Sequence, residues 1–148
     1  MDDKRLKQIF SNMKTRSLKS KMTDSPFDVE FEMNNFISWY NKTKENLNNK
    51  CAYCGSDQNK ITQLIEKKTL SSKRFNKRGF NLEVDRKDPK KNYSEENCTL
   101  ICYFCNNDKS DIFLSDDYQK YFINMARCKN GKTMRCNYID DMYELLKN

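Results

Sequence analysis

The sequence predicts an α+β fold, a small zinc-stapled core with helices added at both ends. Three observations carry this expectation. The cysteines include two C-x-x-C pairs, Cys51/Cys54 and Cys102/Cys105; short strand-like runs lie between and beside them; and amphipathic helical patterns occupy both ends. The expected organisation is one domain over 1–148. It comprises an N-terminal helix and strand extension (1–50), a zinc-bound core (51–114) and C-terminal helices (115–148). With 36% hydrophobic and 33% charged residues in 148, the apolar core is small and gains from a staple.

The elements follow in order. Leu6, Ile9, Phe10 and Met13 recur at helical spacing within 3–20 as an apolar face expected to dock on the core, opposite Lys4, Arg5, Lys7 and Lys14, a basic face that is either solvated or tracks a phosphate backbone. Thr23-Asp24-Ser25-Pro26 reads as a turn. Phe27, Val29 and Phe31 alternate with acidic residues as in a short half-buried strand. A helix is expected over about 33–47, with Phe36, Ile37 and Tyr40 inside and Trp39 at the edge. Cys51-Ala52-Tyr53-Cys54-Gly55 reads as a metal knuckle, its glycine permitting the tight backbone. KITQLIE (60–66) and GFNLEV (79–84) are expected as strands flanking a basic connection. That connection carries Lys67, Lys68, Lys73, Arg74, Lys77 and Arg78, with Ser71, Ser72 and Asn76 between, and is expected to contact phosphate. Ser115 is expected to cap a helix with Asp116 and Asp117 in its first turn and Tyr118, Tyr121, Phe122 and Met125 buried. A last helix over about 137–147 would bury Tyr138, Met142, Leu145 and Leu146.

Four thiolates satisfy tetrahedral Zn²⁺, and the 47 residues between the pairs (55–101) form an insertion that the ion would close. No secretory signal pattern stands at the start and no apolar run reaches spanning length. The expectation is therefore an intracellular protein, cytoplasmic or DNA-associated and of cellular, phage or viral origin, with no membrane partner and with cysteines serving metal rather than disulfides. Cys98 is expected to be buried in a strand, while Cys128 and Cys136 lack a second pair.

Net charge +7 and pI near 9.0 suit a polyanionic partner, because cationic side chains that meet phosphates release counterions. Histidine is absent, which removes both the commonest general base and the commonest zinc nitrogen.

A knuckle, a strand ending in Asp85-Arg86, a loop with Tyr93, Glu96-Asn97-Cys98-Thr99-Leu100 and Cys102-x-x-Cys105-Asn106-x-x-Lys109 together resemble the HNH (ββα-metal) endonucleases. They are similar to the subgroup in which Asp-Arg replaces the usual Asp-His. Phe36-x-x-Trp39-Tyr40 and Lys109-Ser110-x-Ile112-Phe113 fit that subgroup as well, so the resemblance spans about residues 33–114.

The resemblance implies a β-hairpin and helix gripping one divalent ion, Mg²⁺ or Mn²⁺, and a DNA substrate. It places Asp85 and Asn106 as ligands of that ion and Asn97 as the brace of the loop. Carboxylate and amide oxygens are hard donors that suit such an ion. Arg86 stands at the position of the general-base histidine. Guanidinium cannot give up its proton, so Arg86 is expected to hold the scissile phosphate, and Tyr93 to assist the attacking water. Lys87, Asn107 and Lys109 are further expected phosphate contacts, Lys109 on the same helix face as Asn106. Asp88 is either a partner for Arg86 or a turn residue before Pro89. The expected function is thus metal-dependent DNA endonuclease, in a restriction, homing or viral setting. The alternative is a catalytically inactive, zinc-stapled nucleic-acid-binding module. A homodimer stays open, since palindromic readers work through two-fold symmetry.

Overall fold

A computed structural model describes residues 3–23, 26–71, 78–124 and 130–147. Helix α1 (Asp3–Ser20) buries Leu6, Phe10 and Met13, the i, i+4, i+7 stripe read from the sequence. Helix α2 (Met33–Asn46) buries Phe36, Trp39 and Tyr40; Trp39 lies inside the stripe, and Ile37 takes the half-buried edge. Between them, Val29 and Phe31 point inward and Glu30 and Glu32 outward, as alternation predicts. The stretch makes only one bridge, Val29 to Tyr93, and is not a full strand. Asp24 and Ser25 of the expected turn lie outside the described residues.

KITQLIE is helical, not a strand. Helix α3 (Gln58–Glu66) starts at Asp57, whose carboxylate accepts from the backbone N–H of Asn59 and Lys60, and it buries Ile61, Leu64 and Ile65. Those three sit at i, i+3, i+4, one helix face; the run is short enough to read either way until the cap is counted.

Strands β1 (Glu83–Arg86) and β2 (Cys98–Ile101) pair antiparallel, with Glu83 opposite Ile101, Asp85 opposite Thr99, and Arg86 opposite Cys98. The expected strand over 79–84 therefore begins only at Glu83. Gly79 instead lets the chain pass tightly against Ile65 and Tyr103: a Cβ there would sit 2.6 Å from Ile65 Cδ1.

Because side chains alternate, the hairpin divides two apolar clusters. Cys98 and Leu100 face α1 and α2, while Ile101 faces the cysteine side. The same alternation sends Glu83 and Asp85 to one face and Val84 and Arg86 to the other. Tyr40 on α2 donates from its hydroxyl to the Leu82 carbonyl at 2.7 Å and fixes the approach to β1.

Helix α4 (Tyr103–Lys109) follows β2 and lies against β1. Helix α5 (Ser115–Tyr118) runs directly into a π-helical turn, Gln119–Ile123. Ser115 is the first residue of α5 rather than its cap: Leu114 takes the cap position, and the Ser115 N–H donates to the Lys87 carbonyl at 2.8 Å. The wide turn shifts the register, so that Tyr118 and Ile123 are buried while the expected Tyr121 and Phe122 are exposed. Met125 lies outside the described residues.

Helix α6 (Met134–Leu145) starts earlier than expected because Thr133 caps it, accepting from the Cys136 N–H at 3.1 Å. Its anchor is Ile139, with Tyr138 and Leu145 on the outside. No helix among the described residues is long and apolar enough to cross a membrane.

Candidate zinc cluster and hydrolytic site

The hairpin gathers the two cysteine pairs. The Ala52 N–H donates to the Leu100 carbonyl at 3.1 Å, setting the first knuckle beside the end of β2, from which Cys102 and Cys105 continue into α4. The ligand atoms of Cys51, Cys54, Cys102 and Cys105 are all buried and lie within 4.8 Å of one another. Zn–S bonds of ~2.3 Å at tetrahedral angles separate sulfurs by about 3.8 Å. Cys54 Sγ and Cys102 Sγ stand 3.7 Å apart, which matches that edge and is far beyond a disulfide. The four residues can hold a zinc ion.

Hydrogen bonds from Cys102, Cys105 and Cys51 hold the Cys54 thiol well below its ordinary value. The Cys51 thiol is lowered as well: burial raises it, and hydrogen bonds from Cys102 and Cys105 within the cluster outweigh that. Around it, Arg135 donates to Cys105 Sγ at 2.9 Å, and Thr133 Oγ1 donates to the Cys54 carbonyl at 2.8 Å, tying α6 to the knuckle. These outer contacts would orient the cysteines around an ion. Cys98 sits apart in β2, its thiol pushed up to about 12 by burial, and Cys136 lies beside Gly55 without joining the four. Cys128 is outside the described residues.

On the helix-facing side of β1, two carboxylates meet two residues of α4, three apart on one helix face. Lys109 donates to Asp85 Oδ1 at 3.2 Å and to the Arg86 carbonyl at 2.9 Å. Asn106 donates from Nδ2 to Glu83 Oε2 at 2.5 Å. A carboxylate only accepts, so this contact engages the Asn106 amide nitrogen and leaves Oδ1 as the atom that could ligate a cation. Arg78 grips the same Glu83 carboxylate through Nε at 2.8 Å and through Nη2, and donates to Asn107 Oδ1 at 2.8 Å.

Asp85, 5% exposed, also accepts from the Tyr53 hydroxyl at 2.6 Å. Burial raises its carboxyl above the ordinary value, against the opposing pull of Tyr53 and Lys109. Lys109 is fully buried, so this ammonium serves the carboxylate and not the surface, contrary to the expected phosphate contact. Replacing it with methionine leaves a buried carboxylate without its counter-charge, and urea unfolding is expected to show a loss of about 3–5 kcal/mol.

Arg86 faces the other way. Its guanidinium is packed between the rings of Phe27 (3.7 Å to the centroid) and Tyr93 (4.9 Å). It donates to the Lys91 carbonyl at 3.2 Å and to the Asp111 carboxylate at 3.3 Å, and its Nε is buried with no partner. Asp111 is 82% exposed while the Arg86 side chain is only 4% exposed, so the guanidinium lies just beneath the surface at this contact. Tyr93 is buried on the same side; burial raises its phenol above the ordinary value, with Arg86 and Arg16 pulling the other way. Asn97 closes the loop before it. Its side chain accepts from the Asp88 N–H at 2.9 Å and donates to the Asp88 and Asn92 carbonyls at 3.0 and 2.9 Å. Asp88 is a turn residue, accepting from the Lys90 N–H at 2.9 Å.

Among solved structures, the chain is similar to the rare-cutting HNH restriction endonuclease PacI, with a TM-score of 0.57 and 25% identity over 78% of this chain and 72% of that one. The fold is similar to that of an HNH endonuclease. That likeness supports a nuclease function in general terms. No family model and no curated protein matches the chain.

The hairpin and α4 bring Asp85, Asn106 and Lys109 to one face, while Arg86 packs on Tyr93 on the other; Tyr93 and Asn106 both border a groove at the β1 edge. Lys67 and Lys68 are exposed after α3, and Lys87 donates to the Glu96 carbonyl at 2.7 Å. Lys73, Arg74 and Lys77, with Ser72 and Asn76, lie outside the described residues. Sequence reading missed Glu83, Tyr53, Arg135 and Thr133. Glu83 was open to inference, since a residue two before Asp85 on a strand shares its face. Nothing local marks the site partners of the other three, which lie 27 to 79 positions away in the chain.

Proposed function

We propose that this protein is a metal-dependent endonuclease that hydrolyses phosphodiester bonds in DNA. The likeness to PacI, a restriction endonuclease described by the way it perturbs DNA, carries the reading. The net charge of +7 supports it, since a polyanion is the matching partner. The cysteine cluster holds structural Zn²⁺ in this account. Conversion of supercoiled plasmid with added Mg²⁺ or Mn²⁺ is the test.

Asp85 and Asn106 are the oxygen donors for the catalytic ion, and the donor set fits a hard divalent cation. When bound, that ion supplies charge neutralisation at the phosphate and acidifies water. The protein's own groups do the rest. Glu83, clamped by Arg78, presents the Asn106 oxygen in one orientation. Glu83→Ala is therefore expected to weaken Mn²⁺ binding about 10–100-fold, read by calorimetry, with the zinc content unchanged.

Arg86, across β1 from Asp85 and Asn106, contacts the DNA backbone beside the hairpin loop rather than the phosphate at the ion. Its outer nitrogen meets only an exposed carboxylate at 3.3 Å, and a phosphate oxygen competes for the same N–H. Tyr93 stays protonated, because burial raises its phenol, and acts by hydrogen bond rather than as phenolate. Tyr93→Phe is expected to lower the single-turnover cleavage rate about 10²-fold while DNA affinity holds. An unchanged rate removes Tyr93 from the mechanism.

One observation favours a second reading, a zinc-stapled DNA-binding module without cleavage. The Lys109 ammonium already neutralises Asp85 at 3.2 Å. In that case the plasmid stays intact while DNA still binds.

A further inference from the structure

A groove of about 560 Å³ runs between α1 and the β1 edge. Arg5, Asn12 and Arg16 line it from α1, and Arg78, Tyr93 and Asn106 line it from the hairpin side. Resting on the nuclease reading above, we infer that this groove seats the phosphate backbone of the DNA strand to be cut, with Arg5 and Arg16 as its phosphate contacts.

Three arguments carry this. Arg5, Asn12 and Arg16, at intervals of seven and four, share one helix face, and that face borders the groove. Eleven residues of helix rise about 16 Å, roughly five base-pair steps of rise along a duplex axis, so the two arginines bracket a run of phosphates. The charge is complementary as well. Among the described residues lining the groove, Glu83 is the single carboxylate, and Arg78 and Asn106 already engage it. A strand lying here reaches Asn106, the proposed ligand of the catalytic ion, and Tyr93, the proposed aid to the attacking water. Of the basic face expected on α1, only Arg5 borders the groove. Lys14 is turned to the Val29 carbonyl at 3.1 Å, and Lys4 and Lys7, though exposed, do not line the groove.

The test is fluorescence-anisotropy binding of a labelled duplex by the full chain, zinc-loaded and without added magnesium, across a salt series. Each lost phosphate contact lowers the log–log salt slope by about 0.9, so Arg5→Gln with Arg16→Gln is expected to flatten it by about 1.8. Lys4→Gln with Lys7→Gln, on the same helix but off the groove, is expected to leave it unchanged. Melting temperature and zinc content check each variant, and Arg5→Gln alone, with its loss of about 0.9, serves if the double variant does not fold. An unchanged slope in the arginine variant overturns the seat while the nuclease reading stands. So does an equal loss in the lysine variant, which makes the effect one of general charge. Absence of duplex binding by the wild type overturns both.

Discussion

Cys102→Ser is expected to unfold the chain, and so is stripping zinc with a strong chelator. The cluster joins elements that otherwise share little. Its first pair hangs from β2 through one backbone hydrogen bond, its second pair opens α4, and α6 is tied to it through Thr133 and Arg135. Structural zinc contributes an apparent ~10–16 kcal/mol in small domains, while a whole domain is stable by only about 5–15 kcal/mol. Loss of the ion thus removes an energy as large as the entire net stability. Cys102 is the most sensitive choice, since it is fully buried and its neighbours cannot collapse into the space without breaking the turn into α4. Far-UV circular dichroism should lose its helical signal as elemental analysis falls from one zinc per chain to none. Cys136→Ser, beside the cluster but outside it, should leave both unchanged. A metal-free chain that keeps its helical signal and melts cooperatively would refute the staple.

Legibility of the fold followed the range of the interactions involved. The α1 stripe and the two C-x-x-C pairs are local patterns with one physical reading each, and they stand as expected. KITQLIE failed because seven residues with apolar positions 61, 64 and 65 fit a strand or a helix, and only the Asp57 cap decides between them. The helix after Ser115 failed at Tyr121 and Phe122 because a π turn changes the period within the segment, which no fixed 3.6-residue template registers.

The site was legible in its residue types but not in its partners. Asp85 and Asn106 are separated by 20 intervening residues (86–105), and the structure gives each a neighbour that spacing does not reveal: Lys109 and Tyr53 for Asp85, Glu83 for Asn106. Arg86 follows Asp85 directly, yet strand alternation puts it on the opposite face, where it packs between two rings. Adjacency in a motif therefore says little about sharing a surface.

The second large effect concerns cleavage itself. Asn106→Ala removes one proposed oxygen ligand of the catalytic ion without leaving a buried charge behind, because Glu83 keeps its pair with Arg78. Asp85→Ala is a less discriminating probe. It strands the Lys109 ammonium in the interior and costs about 3–5 kcal/mol of fold before any chemistry is tested. The cleavage rate of Asn106→Ala is expected to fall about 10²-fold or more, beyond the effect of an outer-sphere residue such as Glu83.

The measurement that tests the central claim most directly is conversion of supercoiled plasmid by wild type and Asn106→Ala, matched for zinc content and melting temperature. The account predicts nicked or linear product from the wild type only when Mg²⁺ or Mn²⁺ is added, and almost none from the variant in the same time. Intact plasmid with the wild type at every divalent-ion concentration, or equal cutting by the variant, would contradict it.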